Sequence, residues 1–583
     1  MIVVHVTHEA VEKIGGIGAV IAGLTTADAY QEEVSRTLLV GPLFDADTSV
    51  ENRLGDDGEV LYSSLDGIEP PEWVKVFRPV ERIYDVHLVY GRRTIHEPCG
   101  GTPVKAEVLL VDVFHYNDER LNVFKGELFE KFRIPSHQFQ SIWDYEQYVR
   151  LAEPAYDALK HLGVIDTDEP CTLLSHEYMG MPTALKAELD GSRSVRTVFY
   201  AHEVASVRPI VEDEAGHDTM FYNVLDQAVD AGLTIEDVFP QVKDNYKHCL
   251  VKAARYLDHV FAVGDYVVDE LRFLDRHFRT MEIDLIYNGI PARSLTLDQR
   301  KESRQRMKLY CKNLFGFEPT WVFTHVARPV RSKGLWRDFR VMHELEKLLA
   351  DRGETAVYFM LGTLAGQRKS RTVRQMERVY GWPVAHEEGY PDLSGGEEAL
   401  WPMFDAFNRD HEQISTVLVN QWDWNHECCG RRMPKEMSFA DIRTGTDLEF
   451  GLSVYEPFGI AQFEGLSFGA LCAVSNVCGC MGFARKTIAG REEFDNVIES
   501  SFLDVPESMD LEQLKNIPIH LRDEIEAKEG RRLAEIIADT LPRDEKTHQT
   551  RIDHGYALAG DMDWEHVVTD YFLPALERTV EDV

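Results

Sequence analysis

The sequence predicts an α/β protein of two domains, each built on a mostly parallel sheet covered by helices. Three observations carry this. The chain has 583 residues, more than one hydrophobic core organises. Short apolar runs alternate with longer stretches of helical period, the pattern of βα units. That alternation then restarts after Asp284-Leu-Ile-Tyr-Asn-Gly-Ile-Pro291, where Asn288, Gly289 and Pro291 close a strand.

In the first half, residues 2–6, 37–41, 86–90, 108–111, 172–175, 197–201 and 259–263 read as strands. They are rich in Val, Leu, Ile and aromatics on both faces, as strands buried between helices are. Residues 145–162 and 183–189 read as helices. The domain boundary falls near residue 292. Beyond it a charged helical stretch, 298–314, leads to strands at 321–326, 356–361, 415–419, 448–453 and 470–475. Residues 420–443, with Trp422, Trp424, two cysteines and Pro434, have no clear period. Residues 499–548 are charged and mostly helical. Near the end Trp564, Val567, Val568, Tyr571 and Phe572 recur at helical spacing, which by itself reads as a helix covering its own domain.

The formal charge is -37, from 99 acidic and 62 basic residues. So acidic a surface repels nucleic acid and anionic membranes, and neither is expected as a partner. It also repels phosphorylated substrates, so a diphosphate pocket must be a local positive island. The nine cysteines are odd in number and scattered, which fits free thiols in a reducing compartment. Cys428-Cys429 and Cys478-x-Cys480 lack the C-x-x-C spacing of zinc sites. The chain starts directly as a strand, without a basic and then apolar leader, and no apolar run is long enough for a bilayer. A cytoplasmic enzyme is the expectation. Oligomeric state, a homo-oligomer included, is left open.

Five segments carry chemistry. Glu9-Ala-Val-Glu-Lys-Ile-Gly-Gly-Ile-Gly18 follows the first strand, and glycines at such a turn let backbone N–H groups approach phosphate oxygens. Taken alone, the glycines also fit a structural turn, and they lack the G-x-G-x-x-G spacing of a dinucleotide site. Arg328-Pro-Val-Arg-Ser-Lys-Gly334 puts three cations at the C-terminal end of a strand, where ligands bind in open α/β sheets. In so acidic a chain that favours anion binding over a solvated loop. Tyr455-Glu-Pro-Phe-Gly-Ile-Ala-Gln-Phe-Glu464 spaces two glutamates eight residues apart. Gly459 and Ile460 open an expected helix, 460–468, whose first N–H groups would face an anion. Finally, His176-Glu177 and His202 stand at strand ends, where a lone histidine is more often structural than catalytic.

In this order the segments resemble the GT-B retaining glycosyltransferases, the glycogen and starch synthases above all. Lys13-Ile-Gly-Gly-Ile looks like their K-x-G-G-[IL] signature, and Glu9 four residues before the lysine is similar to the fungal and animal form. His176-Glu177-Tyr178 looks like H-[DE]-W with tyrosine for tryptophan. Phe199-Tyr-Ala-His-Glu203 resembles the strand ending in an active-site histidine. Asn288-Gly-Ile resembles the close of their first domain. Arg328 with Lys333-Gly334 matches R-x4-K-G, Glu456 with Glu464 matches E-x7-E, and Trp564-Glu565 resembles the late S-W-E segment.

The resemblance implies a GT-B architecture: an α/β fold of two Rossmann-like domains facing a central cleft. Residues 1–292 would be the acceptor domain and 293–560 the nucleotide-sugar domain. A C-terminal helix, 561–583, would cross back to the N-terminal domain. It also implies roles. Lys13, Gly15, Gly16, Ile17 and Gly18 would bind the donor, as would Gly459, Ile460 and Glu464, the last at the ribose. His202, Arg328, Lys333 and Glu456 would be catalytic: His202 and Glu456 on the hexose, the two cations on the departing diphosphate. Glu9, His176 and Glu177 would meet the acceptor. The reaction implied is transfer of glucose, with retention, from ADP-glucose or UDP-glucose to an α-1,4-glucan. GDP-mannose as donor stays open. A small sugar or sugar acid as acceptor, or a non-catalytic carbohydrate-binding relative, are the alternatives. The glutamates share one short motif, which argues for ligand holding over glycosidase-type acid/base work. No cofactor or metal is expected, because the D-x-D matches at Asp45, Asp166 and Asp561 do not follow strands among glycines.

Overall fold

A computed structural model describes residues 1–11, 15–55, 57–96, 102–213, 216–491 and 493–581. Within them, no helix is long and apolar enough to cross a membrane, and every cysteine is a free thiol. Lys13 and Cys99 lie outside the described residues. The chain divides into two compact units. The first comprises Met1–Val207, Gln227–Gly289 and Trp564–Val583, and the second Arg208–Asp226 and Ile290–Asp563. Residues 208–226 thus cluster with the second unit, where the sequence pattern had put them in the first. The terminal helical segment belongs with the first unit rather than with the domain preceding it.

Among the described residues, the first unit holds a nine-stranded sheet. Its strands are β1 (Ile2–Val6), β2 (Arg36–Pro42), β3 (Glu59–Ser63), β4 (Leu88–Ile95), β5 (Val104–Val111), β6 (Cys171–His176), β7 (Val195–Ala201), β8 (His259–Ala262) and β9 (Ile283–Leu285). The order is β3-β4-β5-β2-β1-β6-β7-β8-β9. All neighbours pair in parallel except β3 with β4 and β4 with β5. The strand order reverses direction between β1 and β6, so the C-terminal ends of these two strands flank a crevice where open α/β sheets bind ligands.

The second unit has six parallel strands: β10 (Trp321–Val326), β11 (Ala356–Leu361), β12 (Ile414–Val419), β13 (Leu448–Gly451), β14 (Leu471–Ser475) and β15 (Val497–Ser500). Their order, β12-β11-β10-β13-β14-β15, is the doubly wound 3-2-1-4-5-6 arrangement, with its switch point between β10 and β13. Side chains alternate between two cores, as the two-residue period of a strand requires. Phe323, Tyr358, Met360 and Leu418 pack on one face, against helices Leu335–Arg352, Gly396–Asp410 and Ile519–Thr540. Val322, Phe359, Val417 and Val419 pack on the other, with Trp382 and Tyr310. Residues 420–443, which lack a period in sequence, join that second core through Trp424, which stacks on Phe439 at 4.7 Å.

The terminal helical run, Trp564–Val567, Val568–Phe572 and Leu573–Glu581, packs into the first unit. A Cβ built on Gly23 would stand 2.0 Å from the Trp564 ring, and one on Gly289 2.5 Å from it. The Glu565 carboxylate accepts from the N–H groups of Asp28 (2.8 Å) and Ala29 (3.0 Å) at the start of helix Asp28–Glu33.

Candidate active site

Each switch point gathers the residues that the motifs single out. In the second unit the chain leaves β10 through exposed Arg328, makes a tight turn at Arg331–Lys333 and enters helix Leu335–Arg352. Gly334, between turn and helix, is left-handed at φ +61, and a Cβ there would lie 2.3 Å from the Leu452 carbonyl oxygen. Only glycine lets the turn after β10 settle on the loop after β13. The Ser332 carbonyl accepts from the N–H groups of Val454 (2.8 Å) and Tyr455 (3.1 Å), which ties the two loops together. The result is an ion pair between Lys333 and Glu456, both largely buried. Gln462 Nε2 donates to the same Glu456 oxygen at 3.2 Å. Burial opposes ionisation of Glu456, but the facing Lys333 ammonium outweighs it and holds the carboxyl below the usual range.

The second glutamate stands differently. Glu464 faces the Arg443 guanidinium at 3.2 Å and keeps part of its side chain in solvent. Arg443 also binds Glu449 at 2.9 Å. The helix expected over 460–468 is absent; two short 3-10 turns, Ile460–Phe463 and Leu466–Phe468, take its place. Glycines punctuate the segment: Gly459 at φ +94, then Gly465, then Gly469 at φ +79. Gly459 and Ile460 therefore open a turn rather than a helix, and the dipole argument for them lapses. Sequence reasoning passed over Arg208, whose guanidinium lies over the Tyr455 ring at 5.1 Å. It also passed over Gln462, which belongs to the motif but carries no charge to draw notice.

In the first unit, β1, β6 and β7 are neighbours, and their ends place His8, His176 and His202 together. His202 Nε2 and His176 Nδ1 are 2.8 Å apart, and His176 Nε2 lies 2.9 Å from His5 Nδ1. His176 is wholly buried, so it stands behind His202 rather than facing an acceptor. Glu177 is buried too, at φ +56, and accepts from the Glu203 N–H, which ties it to the loop that carries His202. Glu9 likewise turns inward. Its carboxylate accepts from the Gly18 N–H at 3.0 Å. That amide is therefore occupied by protein, whereas Gly16, solvent-facing, would meet nothing within 4 Å if it carried a Cβ. Gly15 is exposed, and Ile17 begins helix Ile17–Thr26. Beside Glu9 and Gly18 lies a cavity of about 590 Å³, bordered also by Phe44, Arg53 and Arg93. Arg93 donates to the Ala10 carbonyl at 2.9 Å and so braces the glycine turn.

Burial pushes the pKa of His5 and His202 down to about 3 and that of His176 well below its ordinary value. His5 and His176, with no exposed surface, stay neutral when folded but take up protons when unfolded, and His202, partly exposed, follows them to a lesser degree. Their contribution to stability is therefore complete above 6.5, the unfolded value, and is lost progressively as pH falls toward 3. Each of the two buried rings should weaken folding by about 1.4 kcal/mol per pH unit below that point. Urea midpoints taken near pH 7 and pH 5.5 should show a steep fall. A flat profile would mean that these rings reach solvent.

These two sheets, with a glycine turn on one switch point and a cation–carboxylate pair on the other, define the GT-B fold. Among solved structures the chain is similar to the catalytic domain of starch synthase IV from Arabidopsis thaliana, bound to ADP and acarbose. The match has a TM-score of 0.53 and 14% identity, over 100% of this chain and 99% of that one. A trehalose-phosphate synthase from Burkholderia xenovorans gives 0.46 at 14% identity, with 99% of each chain covered. A sucrose-phosphate synthase from Thermosynechococcus elongatus gives 0.48 at 13%, over 100% and 99%. No family model and no curated protein matches the sequence.

Proposed function

We propose that the protein is a retaining glycosyltransferase that moves glucose from a nucleotide-sugar to an α-glucan, in the manner of the glycogen and starch synthases. The observation that carries this is the Lys333–Glu456 pair at the switch point of the second sheet, with the exposed Arg328 on the same loop after β10. A chain of net charge -37 that places Arg328, Arg331 and Lys333 on the loop at that switch point is suited to a diphosphate. In the proposed reaction the bond between the anomeric carbon and the diphosphate breaks. Arg328 and Lys333 stabilise the charge on the departing phosphate, which is where fixed donors lower a barrier most. Glu456 accepts a hydrogen bond from a hexose hydroxyl, and His202 meets the hexose. The acceptor hydroxyl attacks from the face the phosphate leaves, and the phosphate takes its proton. Glu464 receives the ribose. The open space before Gly16 supports a close approach of phosphate to its backbone, since nothing described there in the protein itself requires a glycine.

An α-glucan acceptor draws support from the starch synthase of like fold, which was bound to ADP and acarbose. The test is to incubate the protein with ADP-glucose, UDP-glucose or GDP-mannose, with and without glycogen, in EDTA, and to measure nucleoside diphosphate release. Release stimulated by glycogen is expected. Release only with small sugars or sugar acids would move the acceptor to that class. No release and no nucleotide-sugar binding would sink the proposal.

A further inference from the structure

Behind His202 a single file of hydrogen-bonding groups runs into the core of the first unit. His202 Nε2 contacts His176 Nδ1 at 2.8 Å, and His176 Nε2 contacts His5 Nδ1 at 2.9 Å. His5 Nε2 reaches the Tyr30 hydroxyl at 3.3 Å, and that hydroxyl meets Thr37 Oγ1 at 3.0 Å. The rings are held by stacking: His176 on His202 at 5.1 Å and 9°, His5 on His176 at 5.2 Å and 25°. His5 and His176 have no exposed surface, and Tyr30 is 1% exposed. At the outer end His202 is partly exposed, and its Nδ1 has no partner among the described residues.

Proton counting constrains this file. A neutral imidazole has one N–H and one bare nitrogen. Each contact between rings holds one proton, so every proton must point the same way along the file. Either they run inward and leave His202 Nδ1 bare, or they run outward and leave it protonated. The Tyr30–His5 contact decides. A phenol O–H is a stronger donor than a neutral imidazole N–H, and a bare imidazole nitrogen is a stronger acceptor than a phenol oxygen. Tyr30 therefore donates to His5 Nε2, and Thr37 donates to Tyr30. His5 Nδ1–H then donates to His176, and His176 Nδ1–H donates to His202 Nε2.

We infer that Tyr30, His5 and His176 are positioning residues that fix His202 as a neutral imidazole with its N–H directed outward. His202 so held donates a hydrogen bond and cannot serve as a base. The identity of the group it donates to, a hexose hydroxyl oxygen, rests on the glycosyl-transfer reading; the tautomer does not.

The test uses protein labelled with 15N-histidine and long-range proton–nitrogen correlation, with His202 assigned by loss of its signals in His202→Gln. The expected result is a protonated-type Nδ1 and a bare-type Nε2. Tyr30→Phe removes the anchor without changing the size of the ring. It should move the two His202 nitrogens toward averaged shifts. It should also lower kcat about tenfold, the effect of one neutral hydrogen bond, with donor KM within about twofold. A bare Nδ1 in the wild-type protein, or an unchanged His202 spectrum in Tyr30→Phe, overturns the inference. Should Tyr30→Phe fail to fold, the wild-type spectrum decides by itself. The expected tautomer in a protein that transfers no sugar would leave this inference standing and sink the functional proposal.

Discussion

Replacing Lys333 by alanine is expected to cut turnover on the order of a hundredfold or more, the usual loss when a fixed charge-stabilising donor is removed. Two effects combine. The departing phosphate loses one of its cations, and Glu456 loses the ammonium that offsets its burial. In the native protein that carboxyl sits below its ordinary 4.5. Its ionised form therefore stabilises the fold above 4.5, and this contribution fades as pH falls through the lower folded value. In Lys333→Ala only the Gln462 hydrogen bond and the Arg208 charge still oppose burial, the carboxyl titrates higher than in the native protein, and the acid limb of the rate profile should move up. Lys333→Arg keeps the charge and should retain part of the rate, though a planar guanidinium does not reproduce the geometry of an ammonium. Steady-state rates for both variants, taken across acid pH, check this. Wild-type turnover in Lys333→Ala would remove Lys333 from the mechanism.

The largest stability effect is expected at Arg337. Its side chain, with no exposed surface, bridges the buried carboxylates of Asp218 and Glu526. It also donates to the Ser453 carbonyl at 3.1 Å and lies over the Phe502 ring at 3.9 Å. Trp336 Nε1 reaches Glu526 as well, at 3.0 Å. Arg337→Leu leaves the buried Asp218 without its cation and Glu526 with Arg340 alone, and should cost about 3–5 kcal/mol. The combined variant Arg337→Leu, Asp218→Leu, Glu526→Leu strands no buried charge, since the partly exposed Arg340 keeps Asp523, and should recover much of that loss. Urea unfolding of the three proteins measures the difference. Equal midpoints for the wild type and Arg337→Leu would show that the carboxylates find water or another partner. Because Arg337 grips the loop that leads to Glu456, activity should fall along with stability.

Much of this architecture was legible in the sequence. Residues 321–326 and 356–361 read as strands and are strands, because a parallel strand covered on both faces is an unbroken apolar run. The edge of the first sheet was harder to read. β4 was foreseen only near its start, since Arg92 and Arg93 interrupt its apolar run, and β3 was not foreseen. Both lie in the antiparallel part of the sheet, where one face is less covered and the hydrophobic signal is halved. Short motifs located the candidate residues but not the direction their side chains take. The resemblance to the glycogen synthases made acceptor contacts of His176, Glu177 and Glu9. Their burial depends on which groups fold back against them, and spacing along the chain does not report that. His5 and Tyr30 went unnoticed for the same reason: a polar residue inside an apolar strand gives no sign of its partners.

The indole seated against Gly23 and Gly289 has a bearing on biosynthesis. The protein is made from its N-terminus, yet the amino-terminal body waits for residues beyond 563 to fill its last gap and to cap helix Asp28–Glu33. A nascent chain therefore carries an unfinished lobe while residues 290–563, nearly the whole of the other lobe, are still to emerge.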